Sequence, residues 1–262
     1  MNLYSDNENE GFTLAEVLIT LGIIGVVASM TISSVITTFR KQQTVAMLKK
    51  AYTEINQALH MAIAEHGAMD TWTLQYFSTS TERNVYFFES YLKPYLSLLH
   101  YKMPSSKACW PEDVYTMDNK KITYWINSNT TARGCFASVA GYTVYFWAHG
   151  TGQGAWFIVD VNGLKRPNVL GRDIFPFLAS WGNEDLLKIS GEAYKLGVYP
   201  LGLHLENTLS RNELLEGSSS VIGSTARYAN CKYGTNKTYA GGFCAAVIMM
   251  DGWEIKDDYP WK

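Results

Sequence analysis

Between Gly11 and Phe39 the chain carries one ionisable side chain, Glu16. Residues 17–36 that follow it are almost wholly apolar. About 20 apolar residues span a bilayer core as a helix, and this run has that length. It shows no polar face, so it is not the amphipathic helix of a soluble domain. Gly22, Gly25, Ala28, Ser29, Ser33 and Ser34 are small and allow close helix–helix approach. A carboxylate at such a place costs several kcal/mol in lipid unless a partner meets it, so its presence signals a role. A secretory signal cut near Val26-Val27-Ala28 fits less well. The apolar run is long for one, and the leader carries Asp6, Glu8 and Glu10 in place of a basic region. A plain single-span anchor leaves Glu16 without a purpose.

The six residues Gly11-Phe12-Thr13-Leu14-Ala15-Glu16 resemble the processing signal of type IV prepilins and type II secretion pseudopilins. The resemblance implies a leader over residues 1–11, cut after Gly11 by a membrane peptidase that also methylates the new amine on Phe12. It implies that Glu16 neutralises the terminal amine of a neighbouring subunit during assembly. It implies an α+β, type IV pilin-like fold, with one long N-terminal helix packed on an antiparallel β-sheet domain. Residues 12–39 would form the membrane and filament-core half of that helix. Residues 40–67 would be its amphipathic continuation, and residues 68–262 the exported domain. The implied function is structural: a pilin or pseudopilin of a type II secretion pseudopilus or a type IV pilus-like filament. The implied partners are identical or related subunits, the prepilin peptidase and methyltransferase, and an inner-membrane assembly platform. The implied place is the bacterial inner membrane, single-pass, with the C-terminal domain outside the cytoplasm, and then a periplasmic or extracellular filament. The alternative is a membrane-anchored or filament-tip adhesin.

Two features depart from the family pattern. No Lys or Arg precedes Gly11, whereas Arg40 and Lys41 follow the apolar run. The positive-inside rule alone would then favour the opposite orientation, and the cysteines argue for the exported one. No proline interrupts the apolar segment; Thr31, Ser33 and Ser34 stand there instead and can bond back to helix carbonyls.

Four cysteines, Cys109, Cys135, Cys231 and Cys244, all lie beyond the apolar segment. None forms a C-x-x-C pair, so their spacing does not suggest zinc. An even number in an exported domain reads as two disulfides, and four cysteines allow three connectivities. Short loops close most easily, which favours Cys109–Cys135 with Cys231–Cys244. The net charge of −2 offers no basic field for nucleic acid. Eight Trp and 17 Tyr point to an aromatic core and strand packing.

Val45, Leu48, Tyr52, Ile55, Leu59 and Ala62 recur at helical spacing and predict a helix to about Gly67. Residues 68–82 read as a loop. Residues 83–100 return to helical spacing, broken or kinked at Pro94. Residues 121–126, 143–147, 155–161 and 174–178 read as strands, with a glycine-rich hairpin turn at 149–154. A short helix is expected at 184–190, an exposed excursion over 205–230, and a helix within 239–250 held by Cys244. No nucleophile elbow, paired carboxylate or metal-ligand spacing indicates an enzyme. Asp160, Asn162 and Asp173 could offer oxygens to calcium, and the resemblance allows it, since major pseudopilins hold calcium in a loop. Lys165, Arg166 and Arg172 crowd the same stretch with positive charge. An Asx-type turn is therefore the preferred reading, and no cofactor is expected.

Overall fold

The computed structural model describes residues 11–103, 109–123, 126, 132–149, 154–180, 195–203, 209–217, 229–235 and 237–261. The chain divides into two compact units, Met1–Gln42 and Gln43–Lys262. Helix α1, Leu14–His66, contributes to both.

In the first unit every large apolar side chain of the helix stands exposed, from Leu14 to Phe39. Several hydroxyls inside it bond back to carbonyls of their own helix. Thr31 reaches Val27 O at 3.1 Å, Thr37 reaches Ser33 O at 2.9 Å and Thr38 reaches Ser34 O at 3.1 Å. Such back-bonding satisfies polar groups where no other partner is at hand.

In the second unit the helix buries a stripe of Leu48, Ala51, Ile55, Ala58, Leu59 and Ala62. Their spacing of three and four places them on one face. Gly67 follows at φ +84°, the left-handed geometry that ends helices without a Cβ penalty. The stripe meets a six-stranded antiparallel meander in the order β1 to β6. Its strands are β1 Leu98–Lys102, β2 Gly134–Ser138, β3 Thr143–Ala148, β4 Gly154–Asp160, β5 Ile174–Ser180 and β6 Gly197–Pro200. A cross-strand row of Phe146, Phe157 and Phe177 lies on the helix side. Tyr52 of α1 packs on Phe177 with ring centroids 5.7 Å apart. Tyr142 and Ser138 donate hydrogen bonds to Glu54 on the same helix. Burial, then the Glu54 bond, pushes the Tyr142 phenol well above its ordinary range.

Helix α2, Ser80–Phe87, is capped by the Thr79 hydroxyl, which accepts from Glu82 N at 3.2 Å. It brings Phe87 and Phe88 onto the same face of the sheet. The other face is covered too. Trp110 stacks on Tyr145 at 5.2 Å, and the Cys109–Cys135 disulfide ties that segment to β2. Helices α3, Arg211–Glu216, and α4, Cys244–Met250, flank the short parallel pair β7, Ala229–Asn230, and β8, Tyr239–Ala240. A second disulfide, Cys231–Cys244, joins the end of β7 to the start of α4. Arg211 then holds the C-terminal segment, pairing with Asp251 at 2.8 Å and Asp258 at 2.7 Å. The aromatic tail packs back: Tyr259 is buried and donates to Gly171 O.

Several local expectations need correction. The helical reading of 83–100 ends early. A π turn at Phe88–Leu92 and a 3-10 turn at Lys93–Tyr95 consume it, and Leu98–Lys102 is strand. Pro94 withdraws a backbone donor and disfavours a continuing helix. The stretch 68–82 contains two 3-10 turns and the start of α2. Residues 121–126 form only an isolated bridge, Tyr115 to Lys121, over their described part. The excursion 205–230 contains α3 with Leu209 and Leu214 buried. The helix expected at 184–190 and the tip of the glycine-rich turn at 150–153 lie outside the described residues.

Candidate functional site

Two places bring together residues singled out from the sequence. The first is the start of α1. Gly11, Phe12 and Thr13 precede the helix, and Phe12 is 88% exposed. Thr13 is the N-cap. Glu16 N donates to Thr13 Oγ1 at 3.2 Å, and Glu16 Oε2 accepts from Thr13 N at 2.8 Å and Thr13 Oγ1 at 2.9 Å. This reciprocal pair is a capping box, which satisfies donors that a helix N-terminus leaves open. Glu16 therefore closes its own helix with its carboxylate bonded to Thr13, the residue that follows Phe12. The helix dipole favours negative charge at this position. Thr13 is the residue that attention to Glu16 alone passes over, yet the T-x-x-E signature before an apolar run was readable.

The second place is the loop between β4 and β5, and it does bring Asp160, Asn162 and Asp173 together. Asp160 Oδ1 accepts from Asn162 N at 3.1 Å, the Asx turn expected of this sequence. Asp173 organises the rest of the loop. Its oxygens accept from Asn168 N at 2.8 Å, Val169 N at 2.6 Å and Asn162 Nδ2 at 3.1 Å. Asp160 and Asp173 are both buried, at 0% and 3% exposure. Burial raises the pKa of each carboxyl, and the Asp173 charge raises that of Asp160 further, to about 9. Lys165 and Arg166, which seemed to crowd the loop, are exposed at its surface. Arg172 does act electrostatically on Asp173, lowering its pKa in part. Asn168 takes the left-handed conformation, φ 58°, and also lines a surface pocket with Glu112 and Asp113. Among the described residues no three His, Cys, Asp or Glu side chains gather at one point.

The four cysteines serve the scaffold. They form the two disulfides within the second unit, with Cα atoms 5.9 and 4.8 Å apart.

A long N-terminal helix followed by an antiparallel sheet is the type IV pilin-like layout, and one helix here is long and apolar enough to cross a membrane. Residues 7–36 match the prokaryotic N-terminal methylation motif, which makes the chain a pilin- or pseudopilin-type precursor. The remainder belongs to a particular family: the chain is a member of DUF6613, a family of unknown function, whose model matches residues 34–177 and 217–262. No curated protein and no solved structure matches the chain.

Proposed function

We propose that the protein is a structural subunit of a filament, either a type II secretion pseudopilus or a type IV pilus-like fibre. The observation that carries this is Glu16 in its setting: a single carboxylate, bonded to Thr13, at the head of a helical segment that is otherwise uncharged to Phe39 and exposes every large apolar side chain. Such a helix is stable in lipid or against other copies of itself, and not in water. A heterologous contact repeated from copy to copy builds an open helical filament. On this reading residues 1–11 are removed, the Phe12 amine is methylated, and Glu16 meets the amine of a neighbour. Methylation keeps the amine cationic, so the attraction survives. Residues 12–39 cross the inner membrane before assembly, and residues 68–262 lie outside the cytoplasm, where Cys109, Cys135, Cys231 and Cys244 can stay oxidised. The protein works by assembly and is not an enzyme.

The test is mass spectrometry of the N-terminal peptide from native cells, together with isolation of surface or periplasmic filaments. The expected peptide begins with methylated Phe12, and the chain co-purifies with filaments. A mature start near Ser29, or Met1 retained in cells that have the peptidase, would refute it.

A further inference from the structure

Residues 111–115 and the β4–β5 loop line a shared cleft of about 290 Å³. Pro111, Glu112, Asp113 and Tyr115 come from the first segment, and Arg166, Pro167 and Asn168 from the second. Both sides are fixed in the folded domain. The Cys109–Cys135 disulfide holds the first, as does the buried Trp110 ring, whose Nε1 donates to Ile126 O at 3.0 Å. Tyr115 ties the two sides together: its N donates to Asn168 O and its O accepts from Leu170 N, each at 2.9 Å. Asn168 N donates to Asp173 at 2.8 Å, which holds the residue in its left-handed conformation. A cleft whose walls are already ordered loses little further freedom when a ligand enters.

The lining carries hydrogen-bonding groups of both kinds. Asn168 Oδ1 is an orphan, buried without a hydrogen-bond partner, and such groups are rare in native proteins. Arg166 is exposed and makes no ion pair among the described residues. Glu112 and Asp113 bring carboxylates, and Lys121 already pairs with Asp113 at 2.5 Å. Charge of both signs in so small a cleft opposes ions of either sign: the carboxylates repel an anion and Arg166 repels a cation. That leaves a neutral ligand. Carboxylate, amide and guanidinium are planar and offer two atoms side by side, which suits neighbouring hydroxyls that each donate and accept. Pro111, Pro167 and the Tyr115 ring supply carbon surface between them. A pyranose has the same division, hydroxyls around its edge and C–H bonds on its faces. Ligand cavities start at about 300 Å³, so this one suits a single ring and not a chain.

We propose that this cleft binds one neutral pyranose residue, as the free sugar or as the end of a glycan chain. Glu112, Arg166 and Asn168 bond to its hydroxyls, and Tyr115 packs against a face of the ring. A ligand of about a dozen heavy atoms, at the efficiency usual for small molecules, binds at about 1 mM. The site belongs to the folded second unit and goes beyond the filament reading, so either can fail without the other.

The test uses the mature full-length protein in a detergent without a sugar head group. The probes are the methyl glycosides of glucose, galactose, mannose and N-acetylglucosamine, followed by ligand-observed NMR. At least one should bind a single saturable site at about 1 mM. The corresponding uronic acid and amino sugar should bind more weakly than their neutral parent. A disaccharide ending in the bound sugar separates the two sources: binding equal to the methyl glycoside assigns a chain end, loss of binding assigns a free sugar, and both support the site. Asn168→Gly removes the amide yet accepts the φ of 58°, so it should fold and weaken binding by about tenfold. Tyr115→Leu keeps an apolar side chain without the ring and should weaken binding too. Arg166→Ala, at an exposed position, should also bind less, and it decides the matter if the other two fail to fold. No saturable binding of any probe up to about tenfold above the expected constant would overturn the site. So would tighter binding of a charged sugar, or unchanged binding in every folded variant.

Discussion

The two halves of α1 obey one backbone geometry and opposite packing rules. From residue 43 to His66 the helix buries one stripe and leaves the rest wet, as helices on globular cores do. From Leu14 to Phe39 it exposes apolar side chains all round, Leu21 at 60% and Ile24 at 62%. The first kind of half is finished by its own domain. The second kind is unfinished until lipid or other copies surround it. The lesson is that a helix's apolar pattern, periodic or continuous, tells which partner completes it.

The largest effect should come from breaking the head of the unfinished half. Glu16→Ala removes charge and cap together and should abolish filaments while leaving Phe12 exposed by cleavage. Glu16→Gln keeps a side chain able to complete the capping box but drops the charge. Loss of filaments in both variants, scored by filament yield, assigns the role to charge; normal yield from Glu16→Gln assigns it to the cap.

Core truncation should separate the halves next. Leu59→Ala opens a cavity in the packed domain and should cost about 2–5 kcal/mol in chemical denaturation of the full chain. Ile24→Ala, on the exposed half, should leave that unfolding transition where it was. Equal losses from the two would mean that both halves of the helix are held by one packed core.

The disulfides sharpen the comparison from the other side, since the apolar half has none. Replacing Cys231 and Cys244 together by Ala should cost about 2–4 kcal/mol in the usual chain-entropy account. Non-reducing peptide mapping should recover the pairs Cys109–Cys135 and Cys231–Cys244. Four freely alkylated thiols in the native protein would place the domain in a reducing compartment and reverse the proposed orientation.

The smallest effect concerns acid. For Asp251, burial raises the pKa but the Arg211 and Lys256 hydrogen bonds outweigh it, and for Asp258 the Arg211 bonds lower it. Both carboxyls are thus held below their ordinary values. Their contribution is complete above the unfolded pKa near 4 and disappears as the pH falls through the lower folded values. Arg211→Ala should cost about 1–3 kcal/mol at neutral pH. It should also flatten the loss of stability below about pH 4, read from thermal melts across pH 2–6.

The short strands show where reading the chain stopped. β4 and β5 were legible because runs such as Ala155-Trp156-Phe157-Ile158-Val159 are apolar throughout. β2, Gly134-Cys135-Phe136-Ala137-Ser138, was not: four of its five residues are small and none is β-branched, so no run of strand-forming residues marks it. β6 has four residues and little pattern. Leu96 and Leu99 carry helical spacing, and only the turn at Lys93–Tyr95 and pairing with β2 make the second of them strand.

What the sequence determined by itself is therefore what depends on local order. The uncharged run, its single carboxylate, the cap signature and the stripe to Ala62 are patterns along one helix, where neighbours in space are neighbours in sequence. Tertiary structure alone decided what depends on distant segments meeting. Asp160 was visible as a turn residue, but its orphan oxygen exists only because Thr143 lies opposite it and the loop to Asp173 closes over it. Glu54, a charged residue of α1, accepts from Tyr142 and Ser138 only because the sheet packs beneath it. Burial is set by the whole fold, and with it the worth of every polar atom.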